Sequence, residues 1–127
     1  MADQPKKPRR ERRLLVRYPV KASTTLVRES DMMRIGMDAV LKDVSIAGIG
    51  IVVREPLEVG EMVKIELVNQ IQRLEKETRG IVRHVTPRDD GTYHVGVELL
   101  LRLTPLEVSL LRMGLQREEE PEGPRWI

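Results

Sequence analysis

Cysteine and phenylalanine are absent from this chain of 127 residues, and one Trp with two Tyr brings the aromatic share to only 2%. Without cysteine there is no disulfide framework, no thiol nucleophile and no thiolate metal site. The two histidines, His84 and His94, are too few for a catalytic zinc centre, so metal and redox chemistry are not expected. Scarce aromatics leave the core to Val, Leu, Ile and Met, and offer little surface on which single-stranded bases stack, which counts against a nucleic-acid reader. No apolar run approaches the length of about eighteen residues that spans a bilayer, so no membrane partner is expected. The opening residues, MADQPKKPRRERR, lack the apolar core of a secretory signal, and a cytoplasmic location is the expectation. At this length the chain supports one modest core and not two.

What is present is charge, and its placement is uneven. Charged residues make up 33% of the chain for a net +2. Lys6, Lys7, Arg9, Arg10, Arg12, Arg13 and Arg17 crowd one end, while Glu118, Glu119, Glu120 and Glu122 crowd the other. The basic end calls for an anion. Residues 1–12, with Pro5 and Pro8 among like charges, read as a flexible basic arm, and 116–127 as a flexible acidic tail.

Between arm and tail, over 13–115, the dominant pattern has period two. Val63, Ile65 and Leu67 alternate with Lys64 and Glu66, and Tyr93, Val95, Val97 and Leu99 alternate with His94, Gly96 and Glu98. Weaker alternation runs through Val20–Arg28, Arg34–Val44, Gly48–Val53 and Arg79–Thr86, giving six candidate strands. Asp90-Gly91 and the Pro56 to Gly60 connection supply turn chemistry between them. The stretch from Asn69 to Glu77 fits either an extended hairpin or a short helical turn. Met32-Met33 reads as a loop that packs locally. The period then changes: Thr104 to Glu107 forms a capping box with Pro105 at the first helical position. A helix over Pro105–Leu115 should place Leu106, Leu110 and Met113 on one face. The expected architecture is all-β with a C-terminal helix, as a barrel or sandwich.

Two clusters carry chemistry. The first is Arg12-Arg13-Leu-Leu-Val-Arg17, where the arm meets the first strand. Guanidinium groups hold phosphate oxygens and the O6/N7 edge of guanine in bidentate fashion and stack on flat rings, so a spaced pair suits a guanine nucleotide. The same arginines would also serve to solubilise a terminus, and Arg9 to Arg13 repeats the spacing. The second cluster is Asp43-Val-Ser45-Ile-Ala-Gly48, in which strand period would project a carboxylate and a hydroxyl to one side ahead of a glycine. Asp43 suits the N1 and N2 hydrogens of guanine, and Ser45 a phosphate or ring edge. Asp and Ser ahead of Gly are equally what an ordinary turn selects. His84 and His94 follow the strand period on the polar face, where solvent exposure is the expectation and no role is assigned.

The order and separation of these clusters, with six strands around and after them, resemble the PilZ domain family over about Arg12 to Leu115. The family's RxxxR motif corresponds to Arg13 and Arg17, with Arg12 beside them, and its D/NxSxxG motif to Asp43, Ser45 and Gly48. Pro19-Val20, the Pro56-Leu57-Glu-Val-Gly60 connection and Val95-Gly96-Val97 also look like family features. The resemblance implies a six-stranded antiparallel β-barrel with a C-terminal helix and no enzymatic activity. It also implies cyclic di-GMP as ligand, with no other cofactor, and a protein partner to receive the signal. The alternatives are a family-like barrel that acts through protein contacts alone and a basic-arm nucleic-acid binder.

Overall fold

Alternating apolar residues can bury one face of a strand only if that face meets others like it, and here six strands solve this by closing on themselves. The computed structural model describes residues 16–69 and 72–118, with side chains through Met113. Strands β1 (Tyr18–Arg28), β2 (Met37–Val44), β3 (Gly48–Val53), β4 (Met62–Asn69), β5 (Leu74–Pro87) and β6 (Tyr93–Leu99) precede a helix, α1 (Pro105–Glu118). They form a closed antiparallel barrel in the order β1-β2-β3-β6-β5-β4. The expected arm (1–12) and most of the expected acidic tail (116–127) lie outside the described residues.

Closure depends on long strands that pair with two neighbours in succession. The first half of β5 pairs with β4 from Leu74 to Ile81, and its second half with β6 from Gly80 to Pro87. At the handover sits Gly80, where a Cβ would lie 2.6 Å from the Glu98 carbonyl oxygen, so only glycine allows the strands to come this close. β1 divides its pairing in the same way between β2 and β4. Register shifts at Pro19/Ala22, Leu41/Asp43 and Val82/His84 supply the local bending that a small barrel needs. The stretch from Asn69 onward resolves as the hairpin: β4 runs to Asn69 and β5 starts at Leu74. Gly91, at φ +86, occupies the left-handed conformation that its turn requires.

The interior is aliphatic, as the missing phenylalanines require. Leu26, Leu41, Ile49, Ile51, Ile65, Leu67, Val82, Val95 and Val97 are sealed from solvent. α1 packs on this barrel with Val108 and Leu111, joined by Leu103 ahead of it. That corrects the expected helix face, since Leu106 and Met113 are exposed. The phase is set by the entry: buried Leu103 donates its backbone N–H to the Ile46 carbonyl, and the cap at Thr104 starts the helix one residue later. The capping box forms in both directions, with Glu107 N–H donating to Thr104 Oγ1 at 3.1 Å and Thr104 N–H donating to Glu107 Oε1 at 2.9 Å. Lys76 of β5 donates to the same carboxylate, and Asn69 donates to the Leu110 carbonyl. A second correction concerns Met32 and Met33, which project into solvent, Met32 being 94% exposed. The Asp31 carboxylate accepts the N–H groups of Met33 and Ile35 and so shapes the loop, turning these side chains away from the barrel.

Thr104→Ala is expected to lower unfolding free energy by about 1 kcal/mol, and Ile51→Ala by about 2–5 kcal/mol, both read by urea denaturation. The backbone N–H of Thr104, followed by Lys76, holds the Glu107 carboxyl below the ordinary glutamate range. A depressed folded-state pKa stabilises the fold fully above the ordinary glutamate value of about 4.3, and this stabilisation is lost as pH falls through the lower folded value. Wild type should therefore exceed Glu107→Gln in stability near neutral pH, and the two should converge on acidification.

Candidate functional site

Two of the chemically notable side chains meet on the outer face of the barrel, where β1 begins and β2 ends. Arg17 precedes β1, and the pairing of Pro19 with Asp43 brings the two strands together there. Arg17 Nη1 donates to Asp43 Oδ1 at 2.6 Å. The pair lies at the surface, with the side chains 48% and 25% exposed. An exposed pair of this kind contributes about 0–1 kcal/mol, so the fold does not depend on it. Gly48 lies beneath it: a Cβ there would lie 3.3 Å from Arg17 Nη2 and 2.9 Å from the Val97 carbonyl oxygen. Arg12 and Arg13 lie outside the described residues.

Ser45 has a different setting from the one that strand period suggests. β2 ends at Val44, so alternation does not carry through to Ser45, which enters the β2–β3 turn and is only 2% exposed. Its hydroxyl accepts the N–H of Gly48 at 3.0 Å and that of Ala47 at 3.3 Å, and it donates to the Gly48 carbonyl at 3.1 Å. The backbone N–H of Ser45 donates to the same carbonyl. Ser45 thus fixes the turn that carries Gly48 beneath Arg17, while Asp43 faces outward.

The sheet register extends the site across three more strands. Asp43 pairs with Gly50 on β3, Gly50 with Gly96 on β6, and Gly96 with His84 on β5. The two inner positions of this row carry no side chain, and the two flanking side chains fold over them. A Cβ on Gly50 would lie 2.6 Å from Asp43 Oδ2, and one on Gly96 would collide with the His84 ring. His94, two residues before Gly96 on the same face, completes the group: its Nε2 lies 3.9 Å from Asp43 Oδ2, and its ring stacks on that of His84. The 3.9 Å separation is too long for a hydrogen bond and becomes an ion pair only when the imidazole is protonated. The polar row Arg17, Asp43, His94, His84 therefore lies along a glycine floor. Both histidines face outward as their strand period requires, but their association with Asp43 was not apparent from it. The detectable signal was Gly50 and Gly96, interior strand glycines at outward positions, where a side chain normally stands. Among the described residues, no cluster of three or more His, Cys, Asp or Glu has the arrangement to hold a metal ion, and no helix is long and apolar enough to cross a membrane.

Comparison with known proteins agrees with this architecture. The family profile for the PilZ domain matches residues 7–117, and the chain belongs to that family. Among solved structures, it is similar to the PilZ domain with c-di-GMP of YcgR from Escherichia coli. The TM-score is 0.58 at 15% identity, covering 80% of this chain and 91% of that one. It is also similar to the Bacillus subtilis inhibitor of motility, MotI/DgrA, with a TM-score of 0.57 at 15% identity and coverage of 81% of this chain. It spans only about half (49%) of the length of that structure. At such identity the likeness is one of fold: a six-stranded antiparallel barrel with one C-terminal helix. No curated protein matches the sequence.

Removing the Ser45 hydroxyl leaves two backbone donors without their acceptor at a buried turn. Ser45→Ala is expected to cost about 1–3 kcal/mol, seen as a lower thermal midpoint with no ligand present.

Proposed function

We propose that this chain is a non-catalytic receptor module for cyclic di-GMP. The observation that carries the reading is the juxtaposition of Arg17 and Asp43 over Gly48, at the family's second motif arginine and at the first and last positions of its D/NxSxxG motif. The ligand has two phosphodiester charges and two guanines, so a binder needs fixed cations and an acceptor for the guanine N1 and N2 hydrogens. Arg17 supplies the first and Asp43 the second. Support for the ligand class also comes from the YcgR PilZ domain, whose structure was solved with c-di-GMP.

In this reading the ligand exchanges the Arg17–Asp43 pair for two better-matched contacts: guanidinium to phosphate or guanine edge, and carboxylate to guanine. Arg13, with Arg12 beside it, closes over the bound nucleotide from the arm, and Ser45 contributes by holding the turn. Binding orders the arm at a cost in conformational entropy, and the repositioned charged segment then signals to a protein partner.

Calorimetric titration with cyclic di-GMP, cyclic di-AMP and GMP tests the proposal. Stoichiometric heat is expected with the first ligand alone. Charge-assisted hydrogen bonds of about 1.5–3 kcal/mol imply that Arg17→Ala and Arg13→Ala each weaken binding by about 10- to 100-fold, with Arg9→Ala far milder. Asp43→Asn should also weaken it. Equal loss from Arg9→Ala would shift the arginine register by one repeat, and binding by wild type of all three nucleotides with steep salt dependence would favour a nonspecific basic arm.

A further inference from the structure

Guanine recognition needs more than its edge. A purine held only by hydrogen bonds at its rim leaves both ring faces in water, and stacking on a planar side chain is the usual remedy. With no phenylalanine in the sequence and the one tryptophan outside the described residues, the planar rings among the described residues are two tyrosines and two histidines. Tyr18 is covered by Arg112, whose guanidinium carbon sits 3.9 Å from the ring centroid. Tyr93 packs against the core. The imidazoles of His84 and His94 are disposed differently. They stand on the outer face of β5 and β6, with planes within 17° of parallel and centroids 5.7 Å apart. His84 is exposed and His94 partly so.

Their position is tied to the nucleotide-facing carboxylate. Asp43 has two oxygens: Oδ1 accepts from Arg17, and Oδ2 faces His94 Nε2. The absence of a side chain at Gly96 lets the His84 ring lie against the sheet, and the absence of one at Gly50 does the same for Asp43. A carboxylate for the guanine edge and a pair of parallel rings therefore lie on one strip of barrel surface, with no intervening side chain at the two glycine positions.

We propose that the His84–His94 pair is a stacking platform for one guanine of the bound dinucleotide, placed beside Asp43 so that the base is held by edge and face together. This inference rests on the cyclic di-GMP reading above. The chemical consequence is a division of labour: Asp43 selects guanine, while the imidazoles add affinity that any purine would gain, since every base has a π-face.

The test is titration of His84→Ala, His94→Ala, His94→Phe and Arg17→Ala with cyclic di-GMP, alongside wild-type NMR of the imidazole Hδ2 and Hε1 protons. Each alanine variant is expected to bind about tenfold more weakly. His94→Phe should stay within about threefold of wild type, because it keeps a flat ring and loses only the approach to Asp43. In the wild-type complex the imidazole protons should move upfield under the guanine ring current. Because the NMR measurement uses wild type, it remains decisive if a variant fails to fold. Alanine variants with wild-type affinity and unmoved imidazole protons, with Arg17→Ala still impaired, would overturn the platform and leave the receptor reading intact. Weak binding by both His94→Ala and His94→Phe, without ring-current shifts, would also overturn it and assign His94 to positioning Asp43. Absence of heat with wild type would remove the receptor reading itself.

Discussion

The rest of the molecule depends on the pairing of β1 with β4, which spans only Thr25–Arg28 against Val63–Glu66. Without it the six strands would be an open, strongly coiled sheet with two exposed edges; with it every strand has two neighbours and the aliphatic interior is sealed. The junction is reinforced around its rim. Thr24 donates its hydroxyl proton to the Glu66 carbonyl, and Arg28 binds Glu61 through two nitrogens, at 2.9 and 2.8 Å. Glu61 also accepts the Glu58 N–H, so one carboxylate ties the closing strand to the β3–β4 connection. Closure on this side leaves the outer faces of β2, β3, β6 and β5 as a continuous surface, and that is where Asp43, Gly50, Gly96 and His84 come into line.

Along this line the protein uses small residues to make polar ones effective. Two outward glycines in adjacent strands weaken a sheet, since each gives up a packing side chain and some backbone order. Here the vacated positions are covered by an Asp carboxylate and a His ring. The same economy holds at Gly48, beneath the Arg17 guanidinium. Buried Ser45 is the anchor of this arrangement: a hydroxyl with two donors and an acceptor around it defines the turn, and the exposed ion pair above it remains loosely held.

Much of this was legible in the sequence, because burial on one face imposes its own period. β3 and β6 fall where alternation and turn residues place them, and the capping box at Thr104 marks the helix start. The helix face was not legible, since Leu106, Leu110 and Met113 have helical spacing as good as that of Val108 and Leu111; what decides between them is a long-range bond from Leu103 to Ile46. Met32 and Met33 were misjudged for a similar reason: hydrophobicity suggests packing, but the Asp31 turn turns both side chains outward. At the site, Asp43 and Arg17 stood out by residue type and spacing. His84 and His94 did not, because their relation to Asp43 runs through interstrand register, and two bulges shift that register in ways that local alternation does not encode.

The contact between Arg112 and Tyr18 links the two ends of the described fold. Tyr18 follows Arg17 directly in the chain, and Arg112 is on the buttressing helix, so a displacement of Arg17 pulls on a ring to which the helix is clamped. The entry to the barrel and its last element share a mechanical joint. A reporter fused after the helix would therefore feel strain arising at the start of β1.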